Sequence, residues 1–259
     1  VVWIFLRGLT RETAHWGGFP DDFQGALSAS QVISLDLPGN GRLHLVPSLW
    51  SIGAMVRFCR EELASRQVEP PYRLLAMSLG AMVATEWAYR FPEEIAGCAL
   101  VNTSFKAFSP FYRRLRPCNY LALLKLVLLT NDAGDAEREI LRLTSNALGK
   151  REEIIASWVE TRRLRPVKSA NALRQLLAAV RYRARAEPPA APLLILSSMH
   201  DGLVHVECSL AIASSWSCAL AVHPSAGHDI ALDDPAWVVE QVGRWLAQGP
   251  GRVQATSRN

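Results

Sequence analysis

Cysteine is scarce and unpatterned in this chain. Five occur among 259 residues (Cys59, Cys98, Cys118, Cys208 and Cys218), an odd number without metal-like or redox-like spacing. That excludes a cysteine-built zinc site or dithiol centre and predicts free thiols, mostly buried, in a reducing cytosol. Long apolar runs are missing as well. The longest, Tyr120 to Leu129, contains Lys125 and is well short of the ~20 residues that span a bilayer. A secretory leader is not visible. The chain opens directly on Val1-Val2-Trp3-Ile4-Phe5-Leu6, and the absence of an initiator Met predicts that a few residues or a leader precede Val1. Internal repeats and an aromatic-and-basic recognition motif are also absent, which argues against a nucleic-acid partner. The expectation is a soluble cytoplasmic protein that does not engage a membrane.

What is present is a large apolar fraction, 49%, enough for a sizeable core. Short apolar runs at Val1–Leu6, Val32–Leu35, Tyr72–Met77, Ala96–Val101, Leu193–Ser197 and Cys218–Val222 read as strands. They are continuous rather than alternating, as in strands covered on both faces. Helical patterns near 50–66, 79–91, 206–215 and 235–247 fall between them, so a parallel sheet with right-handed crossovers is predicted. The interval 103–187 breaks the rhythm. It is far longer than a crossover needs and has helical patterns near 119–130, 135–147, 151–164 and 173–180. Pro188-Pro189-Ala190-Ala191-Pro192 then stops a helix and returns the chain to the sheet. The organisation expected is a core of residues 1–102 and 188–259 with a helical cap over 103–187, roofing the carboxyl ends of the strands. The overall charge of +4 conceals an asymmetry: 103–187 has 17 Lys or Arg against 8 Asp or Glu, whereas the rest of the chain is net negative. Such a cap is either a solubilised surface or a docking face for an acidic partner.

Three residues carry the chemistry. Ser78 lies in Ala76-Met77-Ser78-Leu79-Gly80, between a strand and a helix. A hydroxyl nucleophile needs a base and must project from the fold, and a sharp strand-to-helix turn with small residues two before and two after provides that projection. The competing role for Ser78 is a simple helix cap. His228 follows the last strand in Gly227-His228-Asp229, and among His15, His44, His200, His205, His223 and His228 it is best placed as the base. Asp201 follows the fifth strand and suits the orienting acid. The fourth strand ends in Asn102-Thr103-Ser104, without a carboxylate. Asp229 neighbours the base and is expected to point elsewhere, while Asp36 is expected to shape the turn Pro38-Gly39-Asn40-Gly41. His200-Asp201 and His205 lack the further ligands a metal site requires. The backbone N–H groups of Leu79 and Leu9 are the oxyanion donors expected, with Gly8 permitting close approach.

These pieces resemble the α/β-hydrolase fold, and within it the capped carboxylesterases, similar to pimeloyl-acyl-carrier-protein methyl ester esterases of biotin synthesis. The resemblance rests on Leu6-Arg7-Gly8-Leu9, Asp36-Leu37-Pro38-Gly39-Asn40-Gly41-Arg42, Met77-Ser78-Leu79-Gly80, Asp201-Gly202-Leu203-Val204 and Gly227-His228. It implies an acyl-enzyme mechanism and no metal or organic cofactor. The chain starts almost at the strand that carries the oxyanion loop, without the antiparallel hairpin common at the front of such folds, so the sheet expected is smaller, nearly all parallel and of about six strands. Two residues depart from the pattern. Ala76 stands where glycine is usual, and Arg7 where histidine is usual, either as a structural substitute or as the partner of a carboxylate. Arg7, Arg113, Arg114, Arg162, Arg163 and Arg165 are expected contacts for substrate or for an acidic acyl carrier protein. A thioesterase, a lactonase, a carbon–carbon bond hydrolase or a low-turnover binding protein would share most of these features. A haloalkane dehalogenase would need a carboxylate where Ser78 stands.

Overall fold

Successive side chains of a strand point to opposite faces, so a continuous apolar run needs a cover on each face. The computed structural model, which describes residues 1–28, 31–128, 132–147, 149 and 151–248, supplies both. Six strands form one sheet in the order β2-β1-β3-β4-β5-β6: β1 (Val2–Leu6), β2 (Gln31–Leu35), β3 (Tyr72–Met77), β4 (Ile95–Val101), β5 (Leu193–Ser198) and β6 (Ala219–His223). Every pairing is parallel. Ile4, Leu6, Leu74, Ala76, Cys98, Leu100 and Ile195 face one core with Met55, Leu63, Trp87, Ile212 and Trp216. Trp3, Phe5, Leu75, Met77, Ala99, Val101, Leu194 and Leu196 face the other with Phe19, Phe23, Val238 and Val242.

The helices that bring these covers are α1 (Phe19–Ala26), α2 (Ile52–Ser65), α3 (Leu79–Arg90), then after the insertion α9 (Glu207–Trp216), α10 (Ile230–Asp233) and α11 (Pro235–Gln248). The sequence reading missed α1, hidden behind Gly17-Gly18. Its signal was Pro20 with Asp21 and Asp22 in the first turn, where proline and acids suit a helix start.

Between β4 and β5 the chain forms α4 (Phe111–Arg114), α5 (Tyr120–Leu128), α6 (Ala133–Thr144), α7 (Arg151–Leu164) and α8 (Ser169–Arg181). The short α4 was not expected. The last helix ends at Arg181, before the Pro188-Pro189 stop that the sequence suggested. Tyr182 and Ala184 explain the early exit, because both side chains are buried in the sheet core, with the Tyr182 ring 6.0 Å from that of Phe105. The insertion has a small core of its own, Leu141, Ile155 and Trp158.

No helix among the described residues is long and apolar enough to cross a membrane. Cys59, Cys98 and Cys208 are buried free thiols, Cys218 is half-buried and Cys118 is exposed.

Candidate active site

Ser78 stands at the carboxyl end of β3, where the chain must reverse into α3 within one residue. Its φ of +53° and ψ of −114° lie outside the regions that L-residues favour, at a cost of about 1–3 kcal/mol. Two close approaches make the turn possible. A Cβ on Gly80 would sit 2.5 Å from the Leu6 carbonyl oxygen, so only glycine lets α3 start so near β1. A Cβ on Gly8 would lie 3.2 Å from the Ser78 Cβ, so the loop after β1 touches the serine. Ala76 is fully buried in the sheet core, where its methyl group is accommodated. The Ser78 side chain makes no capping bond to α3, which removes the helix-cap role.

Asp201 and His228 meet after β5 and β6. The His228 Nδ1–H donates to Asp201 Oδ2 at 2.7 Å, with both side chains buried. Asp201 Oδ1 accepts from the amides of Leu203 (2.7 Å) and Val204 (3.0 Å), so the carboxylate cannot swing away. Burial by itself would lower the His228 pKa. The charge and hydrogen bond of Asp201, aided by Asp229, outweigh it and raise the value above the ordinary 6.5.

Ser78 and His228 line one cavity of about 110 Å³ with Arg7, Gly8, Leu9, Thr10, Arg11, Met77, Leu203 and Asp229 from the sheet domain. Leu123, Ile140, Leu143 and Thr144 of the insertion complete it. Among the described residues no hydrogen bond joins the Ser78 hydroxyl to His228, and the amides of Leu9 and Leu79 have no partner. The next amide along, Thr10 N–H, donates to Gln175 Oε1 at 2.8 Å.

A strained serine after a strand and a buried histidine–aspartate pair sharing one cavity are features found on more than one fold, so membership is a matter for comparison. A model described as the alpha/beta hydrolase family matches residues 3–241. The chain belongs to that family. No curated protein matches it. Solved structures similar to it include an esterase from Thermogutta terrifontis, 18% identical, covering 97% of this chain and 91% of that one at a TM-score of 0.73. Another is a hydrolase from Pseudomonas aeruginosa PA01, 19% identical, covering 95% and 89% at 0.75. BpoC of Mycobacterium tuberculosis H37Rv, described as a candidate non-heme bromoperoxidase, is 19% identical and covers 95% and 92% at 0.74. At these identities the likeness shows the fold; the different names on it show that the fold leaves the substrate open.

Within this alpha/beta hydrolase, Arg7 proves to be the partner of a carboxylate. Its Nη1 and Nη2 donate to Asp229 Oδ1 and Oδ2 at 3.1 and 2.5 Å, and its guanidinium lies 4.5 Å from the Trp16 ring. Both side chains are almost fully buried. The Asp229 carboxylate is thus bonded to Arg7, and the Nδ1 of His228 to Asp201.

The remaining arginines of the expected contact set differ in their surroundings. Arg162 donates to Glu137 at 2.6 Å, and Arg165 grips Glu12 through Nε (2.8 Å) and Nη2 (2.9 Å). Arg114 donates to the Ala179 carbonyl at 2.9 Å, and burial lowers its pKa. Only Arg113 and Arg163 of this set are exposed without an ion-pair partner among the described residues, and they lie on separate helices, α4 and α7.

Asp36 accepts from the amides of Thr13 (2.8 Å) and Arg42 (3.1 Å), the turn-shaping role expected of it. His205 accepts the Glu207 amide near the start of α9 at 3.3 Å, and His200 is exposed.

Asn102 carries no charge, so no ionisable group marks it as a site residue. Its Nδ2 donates to the carbonyls of Gly227 (3.2 Å) and His228 (2.7 Å), while its Oδ1 accepts the Ser198 amide (2.9 Å). It therefore ties the loop that carries His228 to the end of β5. The available signal was an asparagine at a strand's carboxyl end, a residue that tolerates its φ of +43°.

Proposed function

We propose that this alpha/beta hydrolase is a serine carboxylic-ester hydrolase working through an acyl-enzyme. The observation that carries the reading is the buried His228–Asp201 pair facing the same cavity as a serine held in a strained turn. Ser78 Oγ attacks the ester carbonyl while His228 Nε2 takes its proton. Asp201 holds the ring through Nδ1 and stabilises the imidazolium. The Leu9 and Leu79 amides receive the charge that develops on the carbonyl oxygen. His228 then protonates the leaving alkoxide, and water, activated by the same ring, releases the acid. The helices of 103–187 act as a cap that keeps water from the acyl group, since Leu123, Ile140 and Leu143 line the cavity.

The test is replacement of the nucleophile. Ser78→Ala is expected to reduce p-nitrophenyl ester turnover by on the order of 10⁴-fold or more and to abolish covalent labelling by a fluorophosphonate. Turnover at the wild-type rate in that variant would rule the mechanism out. A cavity of about 110 Å³ is small beside the roughly 300–1,000 Å³ of drug-sized ligand sites, which favours short acyl groups.

A narrower reading is a methyl ester of an acyl chain borne by an acyl carrier protein, supported by the sequence resemblance and by the excess of 17 basic over 8 acidic residues in 103–187. Arg113 and Arg163 are the contacts left for it. Its signature is a carrier-linked ester that outpaces the free methyl ester at low salt and loses that advantage as salt rises. Equal rates at low salt would remove the carrier from the picture. The unpaired cysteines favour a reducing compartment such as the cytoplasm.

A further inference from the structure

Three consecutive residues of the loop after β1 are each held by the insertion. Thr10 N–H donates to Gln175 of α8 at 2.8 Å. Arg11 donates to Glu137 of α6 at 2.7 Å and lies 3.9 Å from the Trp158 ring of α7. Glu12 receives Arg165, just beyond α7. Of these, the Gln175 contact bears most directly on an oxyanion donor. The Arg11 amide donates to the Gly8 carbonyl at 3.3 Å and closes a four-residue turn with Leu9 and Thr10 at its centre. The Gly8–Leu9 peptide carries the Leu9 N–H, so the turn sets where that donor points. Thr10 has a φ of +58°. Glycine ordinarily serves that turn position, and a β-branched residue there is a steric outlier. Rotation of the Leu9–Thr10 peptide would relax Thr10 and reshape the turn.

Gln175 opposes that rotation. It is fully buried, and its amide has one consistent orientation: Nε2 donates to Asn40 Oδ1 (2.8 Å) and Ser48 Oγ (2.9 Å), leaving Oε1 to accept Thr10 N–H. Ser48 Oγ in turn donates to the Pro38 carbonyl at 2.7 Å, which fixes the far end. We infer that Gln175 is a positioning residue for the oxyanion hole: from α8 it holds Thr10 in its unfavourable conformation, so that the Leu9 N–H stays aimed at the Ser78 reaction centre. The insertion is then part of the apparatus that stabilises the tetrahedral state, and not merely its cover. This inference rests on the serine hydrolase reading above.

The experiment compares full-length variants for kcat and KM on p-nitrophenyl butyrate, for affinity toward a phenylboronic acid that forms a tetrahedral adduct on serine, and for thermal stability. Gln175→Met, near-isosteric and without hydrogen bonds, is expected to lower kcat about 10- to 100-fold with KM within a factor of about two, and to weaken boronate binding in proportion. Thr10→Gly in that background is expected to recover part of the kcat, because glycine adopts the positive φ unaided. Ala178→Gly weakens α8 and its packing on the sheet core without touching Thr10 or the partners of Gln175; it is expected to lower the melting temperature while kcat stays within about twofold. If Gln175→Met yields no folded protein, Ser48→Ala loosens the same amide, and a loss of about threefold in kcat and boronate affinity is expected. Unchanged kcat and boronate affinity in the Gln175 variant, a change confined to KM, or an equal kcat loss in Ala178→Gly would each overturn the inference. Wild-type protein that neither turns over esters nor is labelled at Ser78 would sink the hydrolase reading and this inference together; labelled wild type with unaffected variants sinks this inference alone.

Discussion

At the scale of single residues, the site depends on how two buried carboxylates are satisfied. Asp201 raises the His228 pKa above its ordinary 6.5. A base must be neutral to accept a proton, so the acid limb of kcat/KM is expected above 6.5, with activity rising as pH increases through it. For stability the sign is opposite. The charged ring stabilises the fold, fully so below the unfolded value and progressively less as pH climbs through the raised folded value. Asp201→Asn is expected to move the acid limb down and cut kcat by on the order of 10⁴-fold; a pH–rate profile checks both. Asp229 needs Arg7. Arg7→Met leaves a carboxylate that is 1% exposed without its partner, at an expected cost of about 3–5 kcal/mol. The double variant Arg7→Met/Asp229→Asn should regain most of that in thermal denaturation, because the stranded charge is gone.

At the scale of elements, the six strands fell within one or two residues of their predicted positions. A strand covered on both faces leaves an unbroken apolar signature, and each run here ends at polar or turn residues. Helices α2, α3, α9 and α11 were equally legible. What failed were short or disguised pieces, such as α1 behind two glycines, and the end of α8, which is decided by where Tyr182 finds a pocket rather than by the prolines downstream. The contact between α3 and β1 is the element-level weak point. Gly80→Ala would press a methyl group against the Leu6 and Arg7 carbonyl oxygens, 2.5 and 2.7 Å from the ideal Cβ position. A loss of roughly 1–3 kcal/mol is expected from that overpacking, visible as a lower denaturation midpoint, along with reduced turnover because Ser78 moves with the helix.

At the scale of the whole molecule, the insertion is docked on every loop that bears the proposed chemistry. The Thr144 carbonyl at the end of α6 accepts the Asp229 amide at 2.8 Å, and a Cβ on Gly202 would meet the Leu143 carbonyl oxygen at 2.8 Å. Its own core is small, and much of its grip on the sheet domain is polar. Backbone amides of α6 and α7 are therefore expected to exchange with deuterium faster than those of β1, β3 and β4, whose side chains fill the two large cores. Equal protection throughout would mean that the insertion and the sheet open as one unit.

The sequence by itself determined the sheet, the order of its strands along the chain, and the candidate serine, acid and base, because each of these is written locally: an unbroken apolar run, a small residue on either side of Ser78, a carboxylate and an imidazole just past strand ends. The tertiary structure alone decided the destination of the charges. Arg162 and Arg165, expected contacts for a partner, pair with Glu137 and Glu12. Asp229 found Arg7 across 222 positions, and Gln175 found Thr10 across 165. A charge or an amide carries no local mark of its partner; only the closing of the insertion over the sheet, where an unpaired polar group is costly, sets which groups must meet.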